Sequence, residues 1–358
     1  ETLQEVQRKS CAGRTGVESG RKRAPAGSSR GGGRTAPLES LDGDTTRPGQ
    51  LIVDDLVEVD LRLRPALALA RAANSPENGR LGLLVACSGG ADSTALLGLL
   101  ALIADADGLL LTVGHVDHGI REDSQRDAEH VAGLAAGLGL GFVQRRLALA
   151  PGPGLPARAR EARRAALRAM AGDRVIALAH TQTDQAETSI LHATRGAGLE
   201  GLAAMPAWDR PWLRPLLGLT RAETRALCGR LAVGFVDDPS NRDRRHPRVR
   251  VREELLPVLR EQNPRAEAAL AALAMQAADA EEALSQWAGL EEQARRRGPG
   301  WWAIEGLANL PRAVRTRVLR RLCAAAGAEM GALGHAAIAS IDRALCGRAG
   351  AANALDAG

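Results

Sequence analysis

The chain has 358 residues, 45% hydrophobic and 25% charged, with a formal net charge of +5, which suits a globular protein of two domains and permits a nucleic-acid partner. Its five cysteines, Cys11, Cys87, Cys228, Cys323 and Cys346, form no Cys-x-x-Cys pair, which argues against a disulfide framework and fits a reducing, cytoplasmic setting. No apolar run reaches the roughly 20 residues of a membrane span, no secretory signal opens the chain, and Lys9 and Lys22 are its only lysines, which removes a catalytic lysine from the folded body.

Residues 1–50 are rich in Gly, Ser, Arg and Pro without apolar periodicity and are expected to form a disordered basic tail. Helical spacing runs from Leu56 to Ala73, and Asn74 to Gly79 ends that helix. Leu83-Leu84-Val85-Ala86 then reads as a strand buried on both faces, Ser88-Gly89-Gly90-Ala91-Asp92-Ser93 as a loop, and Ala95 to Leu100 as a packed helix capped by Asp92, Ser93 and Thr94. Glycine lets backbone N–H groups converge, and a helix start adds a positive dipole end, so this loop is expected to hold phosphate; a tight turn without ligand is the alternative.

Three more strand and helix pairs follow. A strand over Leu109 to Val116 leads through Asp117-His118-Gly119-Ile120-Arg121 to a helix from Ser124 to Leu138. A strand over Phe142 to Leu149 precedes an Arg-studded helix from Ala157 to Met170, and a strand over Arg174 to His180 precedes a helix from Asp184 to Arg195. This alternation predicts an α/β fold, a doubly wound, Rossmann-like parallel sheet, with ligands beyond the carboxyl ends of the strands. Ser88 to Ser93, His115 to Arg121 and His180 to Thr188 should therefore line one rim.

Gly196-Ala197-Gly198-Leu199-Glu200-Gly201 matches a dinucleotide-binding string but follows a helix, so the strand that gives that string its meaning is missing. Thr220 to Leu231 reads as a helix and Phe235 to Asn241 as a strand end and turn. Arg242, Arg244, Arg245, Arg248, Arg250 and Arg252 then crowd a segment whose Leu255, Leu256 and Leu259 read as core. From Ala266 the pattern is helical, to about Arg297 and again over Pro311 to Ala325 and His335 to Leu345. The expected domains are 51–264 and a smaller all-α domain over 265–348, with a tail at 349–358.

Ser-Gly-Gly-x-Asp-Ser resembles the PP-loop of the N-type ATP pyrophosphatases; it is not a Walker A loop, which needs a lysine. Three further stretches narrow the resemblance: His115-Val116-Asp117-His118-Gly119-Ile120-Arg121; His180-Thr181-Gln182-Thr183-Asp184-Gln185-Ala186-Glu187-Thr188 running into Arg195; and Asp238-Pro239-Ser240-Asn241 running into Arg248-Val249-Arg250-Val251-Arg252. Together they closely resemble tRNA(Ile)-lysidine synthase over about residues 60 to 346. Leu310-Pro311-Arg312-Ala313 and the segment around His335 look like that family's substrate-binding domain, and the chain is similar to the short members that lack a further C-terminal domain.

The resemblance implies that ATP adenylates the wobble cytidine of the isoleucine tRNA with a CAU anticodon, and that free L-lysine then displaces AMP to leave lysidine. It implies ATP binding by Ser88, Gly89, Gly90, Ala91, Asp92 and Ser93, with Asp92 holding Mg²⁺ or orienting the loop. His180 and Asp184 join Asp92 as candidate catalytic residues. Asp184 and Glu187 would position lysine or cytidine, with helix-start carboxylates favoured by the dipole as the alternative. His115 and His118 would shape the nucleotide pocket, and Arg195, Arg248, Arg250 and Arg252 would contact tRNA phosphates. A homodimer is compatible with the resemblance, and no membrane is involved.

Two departures stand out. Thr183 replaces the first of two adjacent aspartates, and Val249 stands where many members have asparagine. The alternatives are another PP-loop tRNA-modifying enzyme, of which a thiolase would want paired cysteines, and a non-catalytic tRNA-binding protein, motivated by Thr183.

Overall fold

The structure is a computed structural model that describes residues 62–74, 79–117, 119, 124–150, 152–237, 243–329 and 334–355. The expected tail over 1–50, His118, Arg121 and the Asp238-Pro239-Ser240-Asn241 turn lie outside the described residues. Among the described residues no helix is long and apolar enough to cross a membrane.

The chain divides into two compact units, residues 1–184 with 206–249 and residues 185–205 with 250–358. The first unit opens with α1 (62–73), β1 (Leu81–Ala86), α2 (Ala91–Ile103), β2 (Leu109–Asp117), α3 (Ser124–Gly137), β3 (Gly141–Arg146), α4 (Leu155–Ala171) and β4 (Val175–Ala177). Helix α5 (Gln182–Ala193) begins in this unit, and α6 (Leu199–Leu202) lies within 185–205; β5 (Trp208–Asp209), β6 (Trp212–Leu213), α7 (Arg221–Arg230) and α8 (Pro247–Arg250) follow.

The sheet order is β3-β2-β1-β4-β6-β5, parallel throughout except for the antiparallel edge strand β5. Side chains alternate along a strand. Leu81, Leu83 and Val85 accordingly pack with α1, α2, α3 and α7. Leu84 and Ala86 pack with Ala166, Leu167 and Ala171 of α4 and with Trp212. Burial on both faces is what a doubly wound sheet imposes, and it explains the unbroken apolar run of β1.

The structure trims or adds to the expected elements where local geometry overrides pattern. β4 keeps three residues of the expected Arg174 to His180. Phe235 to Asp237 is not a strand; there the Val236 N–H donates to the Gly89 carbonyl at 2.8 Å. The Pro/Trp-rich connection hides β6, whose two residues split between the two cores.

In the second unit a π-helical turn over Val251–Leu255 leads into α9 (Leu256–Gln262), followed by α10 (Ala266–Arg295), a hairpin of β7 (Arg296–Gly298) and β8 (Trp301–Trp302), α11 (Arg312–Ala325) and α12 (His335–Leu355). The extra residue of the π turn rotates the helix surface. Leu256 is therefore fully buried, while Leu255 and Leu259, read from sequence as core, are 46% and 37% exposed. Ala288, Leu307, Val314, Val318, Leu319 and Ile338 form the main helical core. Arg315 ties it together by donating to Asp342 at 2.5 Å and to the carbonyls of Ala308 and Leu310.

Gly114 on β2 shows how closely the sheet is packed: a Cβ there would meet three carbons of the buried Leu84 side chain at 3.0 to 3.1 Å. Gly114→Ala is expected to cost about 1–3 kcal/mol by overpacking, read as a lower urea midpoint with an unchanged m-value.

Candidate active site

The chain runs from β1 to β2 on one side and from β4 to β6 on the other, so the connections after these two neighbouring strands leave in opposite directions and the loops diverge between their carboxyl ends. The Ser88–Ser93 loop starts there. Gly89 has φ +86°, a left-handed conformation in which a side chain would be strained. Ser93 organises the turn: its Oγ accepts the Ser88 N–H at 3.1 Å and donates to the Gly90 carbonyl at 2.9 Å. Thr94 Oγ1 donates to the Gly89 carbonyl at 3.3 Å.

These bonds correct the expected capping. The N-cap of α2 is Gly90, which has no side chain to offer, and Ser93 and Thr94 bond back into the loop. The first-turn N–H groups of α2 are thus left without a side-chain cap, the arrangement that suits phosphate.

Asp92, on the first turn of α2, is engaged from α7. Arg221 Nη2 lies 3.0 Å from Asp92 Oδ2, and Thr224 Oγ1 donates to Asp92 Oδ1 at 2.5 Å. The Arg221 N–H also donates to Thr183 Oγ1 at 3.2 Å. Neither Arg221 nor Thr224 stood out in the sequence; the one available signal was their position one turn apart at a helix start marked by Thr220 and Glu223, which form a reciprocal capping box.

Asp184 caps its own helix. Its Oδ2 accepts the Thr181 N–H and hydroxyl, both at 2.8 Å, and Thr181 Oγ1 accepts the Asp184 N–H. Burial pushes the Asp184 carboxyl up, but Arg221, His180 and the Thr181 bonds outweigh it and hold the group below the usual carboxylate range. Glu187 is fully buried and receives Arg252 Nε at 2.6 Å.

His180 is half-buried, with Nδ1 enclosed and no hydrogen-bond partner among the described residues. Burial above all, opposed by Asp184 and aided by the positive charges of Arg214, Arg163 and Arg248, lowers it to about 4, so the ring is neutral at pH 7. His115 is buried with Nδ1 2.9 Å from the Cys87 carbonyl, bracing the strand end beneath the loop.

The arginines of α4 are the larger omission from the sequence reading, which saw only a studded helix. Arg160 is pushed below its ordinary value by burial and then by Arg248 and Arg164; Arg163 by burial and then Arg160. Arg214 is lowered by burial, with Asp209 opposing and Arg164 and Arg160 adding to the shift. Arg164 and Arg168 lie 4.8 and 5.1 Å from the Trp212 ring centre. Gathered like charges of this kind favour a polyanion. Arg248 belongs to this first unit, whereas Arg195, Arg250 and Arg252 belong to the second, with Arg195 and Arg250 exposed.

Among the described residues no three His, Cys, Asp or Glu side chains stand together as a metal cage. The two oxygens of Asp92 are engaged by Arg221 and Thr224.

Residues 66–259 match the family model described as a PP-loop domain. The chain is 41% identical over 281 residues to the tRNA(Ile)-lysidine synthase of Thermobifida fusca, covering 77% of this chain and 86% of that protein. It is 39% identical to that of Streptomyces coelicolor, covering 74% and 78%. Among solved structures it is similar to a U34-tRNA thiolase from Methanococcus maripaludis, with a TM-score of 0.51 and 15% identity over 62% of this chain and 78% of the other, a likeness of fold. A parallel sheet carrying the Ser88–Ser93 loop at its divergence point, together with these identities over most of the length, establishes that the chain belongs to the tRNA(Ile)-lysidine synthase family.

Proposed function

We propose that this protein uses ATP to activate the wobble cytidine of an isoleucine tRNA with a CAU anticodon and joins free lysine to it, forming lysidine. The observation that carries this reading is the Ser88–Ser93 loop opening into an uncapped helix start, in a chain of this family. In the first step cytidine O2 attacks the α-phosphorus and pyrophosphate departs with the bonding pair. In the second the lysine ε-amine attacks C2, the C2–O2 bond breaks, AMP leaves and the amine gives up a proton.

Each step asks for groups that the chain supplies. The N–H groups of the loop and of the first turn of α2 face the charge that grows on pyrophosphate. Magnesium would arrive on the phosphate oxygens of ATP, where it neutralises charge. Asp92, already engaged by Arg221 and Thr224, fits the loop-orienting role. Asp184 is an ionised carboxylate fixed by Thr181, suited to an ammonium group, and Glu187 is fixed by Arg252. The arginines of α4 with Arg214 and Arg248 suit the phosphates of the anticodon arm. The second unit is the proposed further tRNA-binding part.

A PP-loop thiolase reading has less support. Burial raises the Cys87 thiol and pushes Cys228 up to about 11, opposite to the low-pKa thiolate that sulfur chemistry uses. Thr183 does not favour a non-catalytic reading, because its hydroxyl has a defined bond to the Arg221 N–H.

Labelled lysine is expected to enter a tRNA(Ile) transcript bearing CAU in the presence of ATP, to be excluded from a methionine tRNA with the same anticodon, and to fall by about a hundredfold or more in Asp92→Ala through misplacement of the loop. Tight tRNA binding without incorporation by the wild-type chain would overturn the catalytic reading.

His180 gives a pH prediction. Its native value of about 4 lies below the ordinary 6.5, so the stability it contributes is present above pH 6.5 and is lost as pH falls from 6.5 through 4. His180→Gln should flatten the fall in thermal midpoint between pH 7 and pH 4; equal slopes for the two proteins would refute the assignment.

A further inference from the structure

We propose that Arg221 is a positioning residue for nucleotide activation: through Asp92 and Thr183 it locks the ATP loop and the loop after β4 into one geometry. The inference rests on the reading of the Ser88–Ser93 loop as the ATP site.

The two loops leave neighbouring strands, β1 and β4. Helix α7 joins them. Its first residue, Arg221, gives its backbone N–H to Thr183 and its guanidinium to Asp92, and Thr224 one turn on gives its hydroxyl to the other Asp92 oxygen. A main-chain donor and a side-chain donor of one residue thus hold both loops.

α7 is itself well fixed, as such a role requires. Thr220 and Glu223 close its start reciprocally, and Glu223 takes Arg62 of α1 at 2.9 Å. Cys228 Sγ lies 3.3 Å from the Ala91 carbonyl, and a Cβ on Gly98 would come within 3.0 Å of Leu231, so α7 lies directly against α2. The guanidinium is 30% exposed and Asp92 17%, and in that partly desolvated setting the pair fixes direction as well as charge. The Asp92 contacts reach the phosphate-binding turn because Asp92 is its second helical residue.

The test compares Arg221→Gln and Arg221→Lys with wild type in three measurements: affinity for ATP by calorimetry, the rate of ATP/pyrophosphate exchange with tRNA present, and affinity for the tRNA alone. Arg221→Gln is expected to weaken ATP binding about tenfold and slow exchange about a hundredfold, as misplacement of a reacting group does, with tRNA affinity and thermal midpoint close to wild type. Arg221→Lys keeps the charge and one donor and should recover part of both losses. In an Asp92→Asn background, Arg221→Gln should change ATP affinity by less than about twofold, because the two act as one unit.

ATP affinity within twofold of wild type in Arg221→Gln, or full additivity with Asp92→Asn, would overturn the proposal. So would parallel losses of tRNA affinity and thermal midpoint, which would mark a purely structural residue. ATP binding needs no lysine transfer, so a wild-type chain that binds ATP but makes no lysidine would defeat the reaction assigned above while leaving this inference open to the same measurement.

Discussion

A carboxylate in the first turn of α2, only 17% exposed, must find compensation or it costs the fold more than its dipole position returns. Asp92 finds it in Arg221 and Thr224, the latter 132 residues away in sequence. Much of the first unit is arranged around that requirement. α7 has to lie against α2 for the contact to exist, α1 buttresses α7 through Arg62, and Val236 returns after α7 to hold the Gly89 carbonyl. Removing one partner of a fully buried pair costs of order 3–5 kcal/mol, but here both groups retain some water and Thr224 still holds the other Asp92 oxygen, so the loss of Arg221 falls on the direction of the Asp92 carboxylate more than on stability.

The parallel sheet supplies the other constraint. Parallel strands send their carboxyl ends to one edge, so the loop after β1 and the loop after β4 emerge side by side, and the chain diverges between them. Polar chemistry can then collect at one rim while Leu83, Leu84 and Val85 stay dry beneath it. The α4 arginines extend that rim with like charges that burial and mutual repulsion both oppose. Stacking on Trp212 gives Arg164 and Arg168 a packing reason to be there, but folding alone gives none for setting Arg160 beside Arg163. A polyanionic ligand does, since its phosphates would relieve the repulsion that the free protein carries.

How much of this was legible in the sequence depends on whether the signal is local. The β1 run, the Ser-Gly-Gly-x-Asp-Ser turn and the alternation of strand and helix are contiguous, and each can be read from neighbours. β6 could not be: so short a segment among prolines carries no period, and only pairing with β4 and β5 makes Trp212–Leu213 a strand. Leu255 and Leu259 misled because a 3.6-residue period was assumed across a π turn. Arg221 was invisible for a third reason. One arginine among so many has no pattern of its own, and its meaning lies in Asp92 and Thr183, which only the tertiary fold brings to it. Asp184 was legible as important, but one role that the structure gives it, a capping box with Thr181, is the blander of the two readings its position allowed.

That distinction bears on the family departure at Thr183. An aspartate in its place could accept the Arg221 N–H as Thr183 does, but it would also add a negative charge beside Asp184, already buried, and near the guanidinium that Asp92 engages. Like charges so close raise one another's pKa and compete for a single cation. Threonine keeps the acceptor and drops the charge. The bond that joins the loop after β4 to α7 is therefore preserved, and the consequence of the substitution falls on charge balance around Arg221. With threonine there, no carboxylate at position 183 competes with Asp92 for the Arg221 guanidinium, and the Ser88–Ser93 loop keeps that anchor.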